Sequence, residues 1–259
     1  MFDIKQEAKQ VIWGCRPPLV RLLANSHPQI DVVPHHVVVG PADMSNRKID
    51  YQIPIGSLGR WRRKEMVDFQ GTKVLLQPDK DQVAMFNQRL AKTIGADKKY
   101  RIGIMWGANP SLEITWARRR SVQKSIPAES FRPLSSYCDR VQFVSLQNMD
   151  AAMEASNIPE LNIIDFHRDL LDFADTAALV QNMDLVISVD TSVAHLAGAL
   201  GKPVWLLLMN RADWRWGRGG NKSVWYESAR LFRQPHQGDW DSVICDLSAD
   251  IGEWLENQP

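Results

Sequence analysis

Apolar residues in this chain fall into short unbroken runs that alternate with amphipathic stretches, with turn-forming residues between them. Beyond residue 99, the runs Arg101–Trp106, Val141–Leu146, Asn162–Asp165, Leu185–Val189, Val204–Leu208 and Arg230–Phe232 predict strands. Continuous rather than alternating apolarity marks strands buried on both faces of a sheet. Between them, Ala128–Tyr137, Met149–Ser156, Asp175–Asn182 and Ser192–Leu200 predict helices, and Asp241–Glu256 predicts a last amphipathic helix. Short strands alternating with helices predict a doubly wound parallel sheet.

The earlier part of the chain reads as a smaller unit of the same kind. Ile4–Lys9 is helical in composition, and Gln10–Trp13, stopped by Gly14, predicts a buried strand. Pro17 and Pro18 sit where a helix begins, ahead of Leu19, Val20, Leu22 and Leu23. Val37–Val39 and Lys73–Leu76 predict two more strands, with an irregular stretch over 42–70 between them. In Asp79–Ile94 the residues Val83, Phe86, Leu90 and Ile94 recur at spacings of three and four, which predicts an amphipathic helix. Gly95–Lys99 then marks a boundary. The organisation expected is an α/β fold of two Rossmann-like lobes with a cleft between them, residues 1–98 and 99–259. No internal repeat or low-complexity tract interrupts it.

Composition narrows the classes of function. With 44% hydrophobic and 24% charged residues among 259, the chain is neither disordered nor fibrous. Thirty-one Lys+Arg against 30 Asp+Glu leave a net charge of +1, which argues against a nucleic-acid binder. The main basic run, Arg118-Arg119-Arg120, reads as a solvated loop. Cys15, Cys138 and Cys245 are too dispersed for a disulfide framework or a cysteine zinc site. The adjacent pair His35-His36 would point to opposite faces of a strand, not to one metal. No apolar run reaches the roughly 18 residues of a membrane span and the first residues are no signal peptide, so a cytoplasmic setting is expected. Dinucleotide, Walker and nucleophile-elbow motifs are absent from the sequence.

The richest stretch runs from Asp184 to Trp205: a buried strand, the polar turn Asp190-Thr191-Ser192, a helix of small residues, and a second buried strand after Gly201. Unpaired N–H groups of a helix starting at the carboxyl end of a parallel strand attract anions, phosphates above all. Two readings fit the local pattern: a phosphate-binding turn, or an ordinary capped helix with His195 as a satisfied core histidine.

Longer motifs favour the first reading. Asp172–Val180, Asp190–Trp205, Asp213-Trp214-Arg215-Trp216, Trp225-Tyr226, Arg230–Gln234 and Gly238-Asp239-Trp240 together resemble the heptosyltransferase-like (family 9) glycosyltransferases, of the kind fused to tetratricopeptide repeats. Trp13–Leu23, Asp50–Pro54 and Ser145-Leu146-Gln147 fit the same pattern. The resemblance implies a GT-B fold and an inverting, metal-independent transfer of a sugar from a nucleotide-sugar donor, with no other cofactor, in a bacterial cytoplasm. It implies that the turn Asp190-Thr191-Ser192 receives the diphosphate, with His195 a turn further in, and that Asp190 either positions the turn or touches the sugar. It also places Trp106, Gly107 and Asn109 along the donor site, Lys124 as a point charge on the diphosphate, and Gln147 near the base or ribose. Repeat-linked relatives usually carry Arg at the Lys124 position, so the charge is kept and the identity differs.

Complete family members begin with a strand and a Gly-Asp loop that carries the favoured catalytic base. Here the first strand, Gln10–Trp13, corresponds to the family's second. The expectation is a truncated N-terminal lobe on the acceptor side, no nameable base, and a bare sheet edge that invites self-association. The alternative function is a non-catalytic nucleotide-sugar-binding or scaffold protein derived from the family. The acceptor, whether glycan, lipid-linked or protein, is not legible, and Asp172 is read as a helix cap rather than a ligand contact.

Overall fold

In the computed structural model, residues 7–35, 48–69, 74–95, 99–108, 115–147 and 149–258 are described. Eight strands are present among them: β1 (Ile12–Cys15), β2 (Asp31–Pro34), β3 (Tyr100–Met105), β4 (Val141–Ser145), β5 (Ile164–Asp165), β6 (Leu185–Val189), β7 (Val204–Leu208) and β8 (Ala229–Arg233). The α-helices are α1 (Val20–Ser26), α2 (Ile55–Arg62), α3 (Lys80–Ile94), α4 (Thr115–Lys124), α5 (Phe173–Gln181), α6 (Ser192–Ala199) and α7 (Trp240–Glu256).

The larger sheet is parallel throughout, in the order β5-β4-β3-β6-β7-β8. The chain starts this sheet in its middle, builds outward to β5, then returns to the other side of β3 with β6. That reversal makes the β3/β6 junction a topological switch point, where connections leave in opposite directions and open a crevice at the carboxyl ends of the strands. Both faces are covered, which explains the unbroken apolar runs. In β6, Leu185, Ile187 and Val189 join one core with Ile102, Ile104, Phe143 and the inner face of α7. Val186 faces the other core, built from α3, α5 and α6 residues such as Phe86, Leu90, Ala178 and Leu196.

A two-stranded parallel sheet, β1 beside β2 with Ile12 opposite Asp31, forms the described part of the earlier unit. Its helix α1 docks on the larger unit: Leu22 is buried in the core shared with α3 and α5. Arg21 reaches across to the start of α5, with its guanidinium 2.8 and 2.6 Å from the Asp172 carboxylate and 2.6 Å from that of Asp175. Asp172 is also the N-cap of α5 and forms a reciprocal capping box with Asp175. The cap expected from the sequence is there, tied in addition to a helix some 150 positions earlier.

This junction has a pH signature. Burial pushes the Asp172 carboxyl up, but the Arg21 bond and two backbone N–H bonds outweigh it and hold the group below its ordinary value. A depressed carboxylate stabilises the fold fully above its unfolded pKa, about 3.9, and that contribution is lost as pH falls through the folded value. Asp172→Ala should cost about 1–2 kcal/mol at pH 7, mainly through the lost cap. Urea melts at descending pH should show the variant and parent converging in the acid range.

Several elements differ from the sequence expectations. Val37–Val39 lies outside the described residues; the second strand is Asp31–Pro34 instead, because it is this run that pairs with β1. Gln10 and Val11 precede β1, which runs on through Gly14 to Cys15. Of the expected strand Lys73–Leu76, Lys73 is outside the described residues and Val74–Leu76 is not a strand. The N–H groups of Leu75 and Leu76 both donate to the carbonyl of Ala199 at the end of α6, satisfying a helix-end acceptor rather than a ladder. Ala128–Tyr137 and Met149–Asn157 are 3-10 rather than α, the former with Pro133 inside it, which has no N–H to give. Arg118–Arg120, expected in a loop, lie in α4; Arg, Gln and Lys favour helix even without an apolar stripe. Glu7–Lys9 are not helical, and Ile4–Gln6 lie outside the described residues.

Candidate functional site

The carboxyl ends of β3 and β6 bring two of the expected segments side by side. After β3 the chain runs through Trp106 and Gly107, and after β6 through Asp190 and Thr191 into α6. Thr191 is the N-cap of α6, extended at φ −133° and ψ 173°, yet its side chain makes no capping bond. Its hydroxyl lies 3.1 Å from that of Ser188 and donates to the Met105 sulfur at 3.3 Å. The first turn of α6 therefore has N–H groups that no side chain among the described residues caps, at the positive end of the helix dipole, and Ser192 is exposed there.

Lys124, the last residue of α4, puts its ammonium 2.6 Å from Asp190 Oδ2. The other carboxylate oxygen of Asp190 accepts from the indole N–H of Trp216 at 2.8 Å. Lys124 is 19% exposed and Asp190 8%, so this ion pair is largely desolvated, and removing either partner leaves the other as an uncompensated buried charge. Trp216 comes from the 3-10 turn Trp214–Trp216, which Asp213 caps by accepting from the Arg215 N–H. Asp213 also pairs with Arg215 and Arg120, drawing the basic face of α4 toward this turn.

His195, one turn into α6, stacks on Trp216 with ring centroids 4.8 Å apart and an interplanar angle of 21°. Its Nδ1 lies 3.1 Å from the Tyr226 hydroxyl. Burial lowers the His195 pKa; Asp190 opposes this, while Arg215 and Lys124 add to it, and the net direction is down, toward a neutral ring at pH 7. Burial likewise pushes the Tyr226 hydroxyl up to about 12, so it stays protonated.

The remaining expected residues divide. Trp106 is fully buried in the core, and its indole N–H has no partner among the described residues. Gly107 is held from both sides by Gln147: its N–H donates to Oε1 at 3.0 Å and its carbonyl accepts from Nε2 at 3.1 Å. Gln147, 1% exposed, thus spends its amide on the turn after β3 instead of presenting it to a ligand. Ala108 N–H donates to Ser125 Oγ at 2.9 Å, which seats the same turn against the end of α4. Asn109 lies outside the described residues. Lys124, Asp190, Thr191, Ser192 and His195 do converge. Trp216 and Tyr226 pack on the core of this lobe and are also the groups that hold Asp190 and His195. Their motifs, Asp213–Trp216 and Trp225-Tyr226, were visible, but nothing local says where their polar ends point.

Among the described residues, no helix is long and apolar enough to cross a membrane. Residues 108–227 match the family model of glycosyltransferase family 9 (heptosyltransferase). The chain is 29% identical to the protein FlbA of Caulobacter vibrioides, an alignment taking in 91% of this chain and 40% of FlbA. It therefore spans well under half the length of that relative. Among solved structures it is similar to the E. coli ADP-heptose lps heptosyltransferase II, with a TM-score of 0.58 at 9% identity, over 96% of this chain and 93% of that one. The span from residue 108 to 227, which holds α4, β6, α6 and the aromatic turn, is thus a glycosyltransferase family 9 (heptosyltransferase)-like domain, set in an α/β fold of parallel sheets that matches the GT-B heptosyltransferase structure.

Proposed function

We propose that the chain binds a nucleotide-sugar donor at the β3/β6 switch point and transfers its sugar to an acceptor with inversion and without a metal. The observation that carries this is the uncapped first turn of α6 beside Lys124: a set of N–H donors and one ammonium converging where an α/β sheet takes phosphates. In this reading the acceptor oxygen attacks the anomeric carbon, and the bond from that carbon to the diphosphate oxygen breaks with its electron pair. The nucleoside diphosphate then leaves with an added negative charge, while a base takes the acceptor's proton. Lys124 and the dipole of α6 stabilise the leaving charge, the step where preorganised donors contribute most. Residues 99–259 would form the donor lobe and 1–98 the acceptor side, and three unpaired cysteines suit a reducing, cytoplasmic compartment.

The sharpest test is Ser192→Pro. Proline at the first helical position has the right φ and removes only an N–H that the helix does not use, and the extended Thr191 before it tolerates a following proline. Thermal unfolding against a panel of nucleoside diphosphates and nucleotide sugars should show a stabilisation of about 2.7 kcal/mol at one hundred times Kd. For a chain of this size that is a rise of roughly 5–10 °C in Tm. Ser192→Pro should melt within about 2 °C of the parent without ligand and lose most of the ligand shift. An equal shift in the variant would remove the diphosphate from the start of α6. Binding without turnover of any donor would favour the non-catalytic alternative.

A further inference from the structure

His195 and Tyr226 approach each other for a reason that the diphosphate site alone does not require. The Tyr226 ring lies flat over α6 at Gly198, where an added Cβ would sit 2.4 Å from its Cγ, so the absence of a side chain at Gly198 is what admits the ring. From there its hydroxyl meets His195 Nδ1 at 3.1 Å, and Trp216 covers a face of the imidazole. The ring is held by a stack and by a hydrogen bond, one on a face and one on the edge.

The bond can be written two ways, and they differ in what they leave unmet. If Nδ1–H donated to the tyrosine oxygen, the hydroxyl proton and the Nε2 lone pair would both be left without a partner, since the Tyr226 hydroxyl meets no group but His195 among the described residues. If the hydroxyl donates, its proton is satisfied by the Nδ1 lone pair, and the only group left without a partner among the described residues is the ring's other nitrogen. The imidazole proton then resides on Nε2. Helical side chains lean toward the helix N-terminus, and His195 is four residues after Thr191, so the ring leans over the uncapped first turn.

We infer that Tyr226 is a positioning residue that fixes His195 as an Nε2–H hydrogen-bond donor, so that His195 recognises an anionic oxygen and does not serve as a base. The donor role rests on the diphosphate reading above; the tautomer does not.

Nitrogen NMR of the ligand-free chain, labelled at histidine and assigned by the signals lost in His195→Gln, tests the two parts separately. The expected result is an unprotonated, pyridine-type Nδ1 and a protonated, pyrrole-type Nε2. In Tyr226→Phe the Nδ1 signal should move as its hydrogen bond is lost, and affinity for inorganic pyrophosphate should fall about three- to tenfold. On adding pyrophosphate to the parent, the Nε2 signal should shift while Nδ1 stays in its range. A protonated Nδ1 in the parent, or unchanged nitrogen signals in Tyr226→Phe, would overturn the inference even if pyrophosphate binds. The expected tautomer with an Nε2 signal that ignores pyrophosphate would instead overturn the donor role together with the diphosphate at this site.

Discussion

Asp190→Ala should destabilise the chain by about 3 kcal/mol, the usual cost of removing one partner from a buried ion pair. Two groups lose their acceptor at once. The Lys124 ammonium, 19% exposed, is left without the carboxylate 2.6 Å away, and the Trp216 indole N–H, in a residue 3% exposed, loses its 2.8 Å bond. Asp190→Asn should recover part of the loss, because an amide oxygen can still accept from Trp216 while the charge pairing is gone. In Lys124→Met the Asp190 carboxylate is stranded in its turn, and the double variant Lys124→Met/Asp190→Ala should be more stable than the two single losses added together. Urea melts of the four proteins measure this directly. Additive losses would mean that the pair contributes nothing beyond its separate members. The same variants bear on the proposed donor site, since Asp190 holds the ammonium that the proposal sets against a diphosphate.

The second large effect is expected at Gly198. A methyl group there would lie 2.4–2.7 Å from three carbons of the Tyr226 ring, all closer than carbon atoms approach without something shifting. Alanine is otherwise the better helix former by about 1 kcal/mol, so propensity alone predicts that Gly198→Ala stabilises α6. Overpacking should win, with a net loss of about 2 kcal/mol, because the neighbour is a half-buried ring packed on His195 and Trp216. A rise in Tm would show that the ring moves aside at no cost. If the ring is displaced, the His195 nitrogen signals should change as they do in Tyr226→Phe, linking a stability measurement to the state of the site.

The sites of these two variants show where sequence reading succeeds and where it stops. The turn Asp190-Thr191-Ser192 and the helix after it were legible because the signals are local: an apolar run that must be buried, small residues, and Gly201 just past the helix end. The role of Gln147 was not. A polar residue at the end of a buried strand can turn to a ligand or to a neighbouring loop, and only the placement of Gly107 opposite it, 40 positions away, decides for the loop. The basic run at Arg118–Arg120 was misread for a related reason, since a helix without an apolar stripe leaves no periodicity to detect.

By itself, then, the sequence determined the α/β class, the positions of β6 and β7, the cap at Asp172 and the turn between β6 and α6. These follow from burial on both strand faces and from hydrogen bonds that span three or four residues. Tertiary structure alone decided the strand order that puts β3 beside β6, the Lys124–Asp190 pair across 66 positions, and the chain of contacts through Trp216, His195 and Tyr226. The physical reason is range. A charge or an indole N–H acquires its meaning from the group it is packed against, and which group that is depends on how the whole sheet is wound.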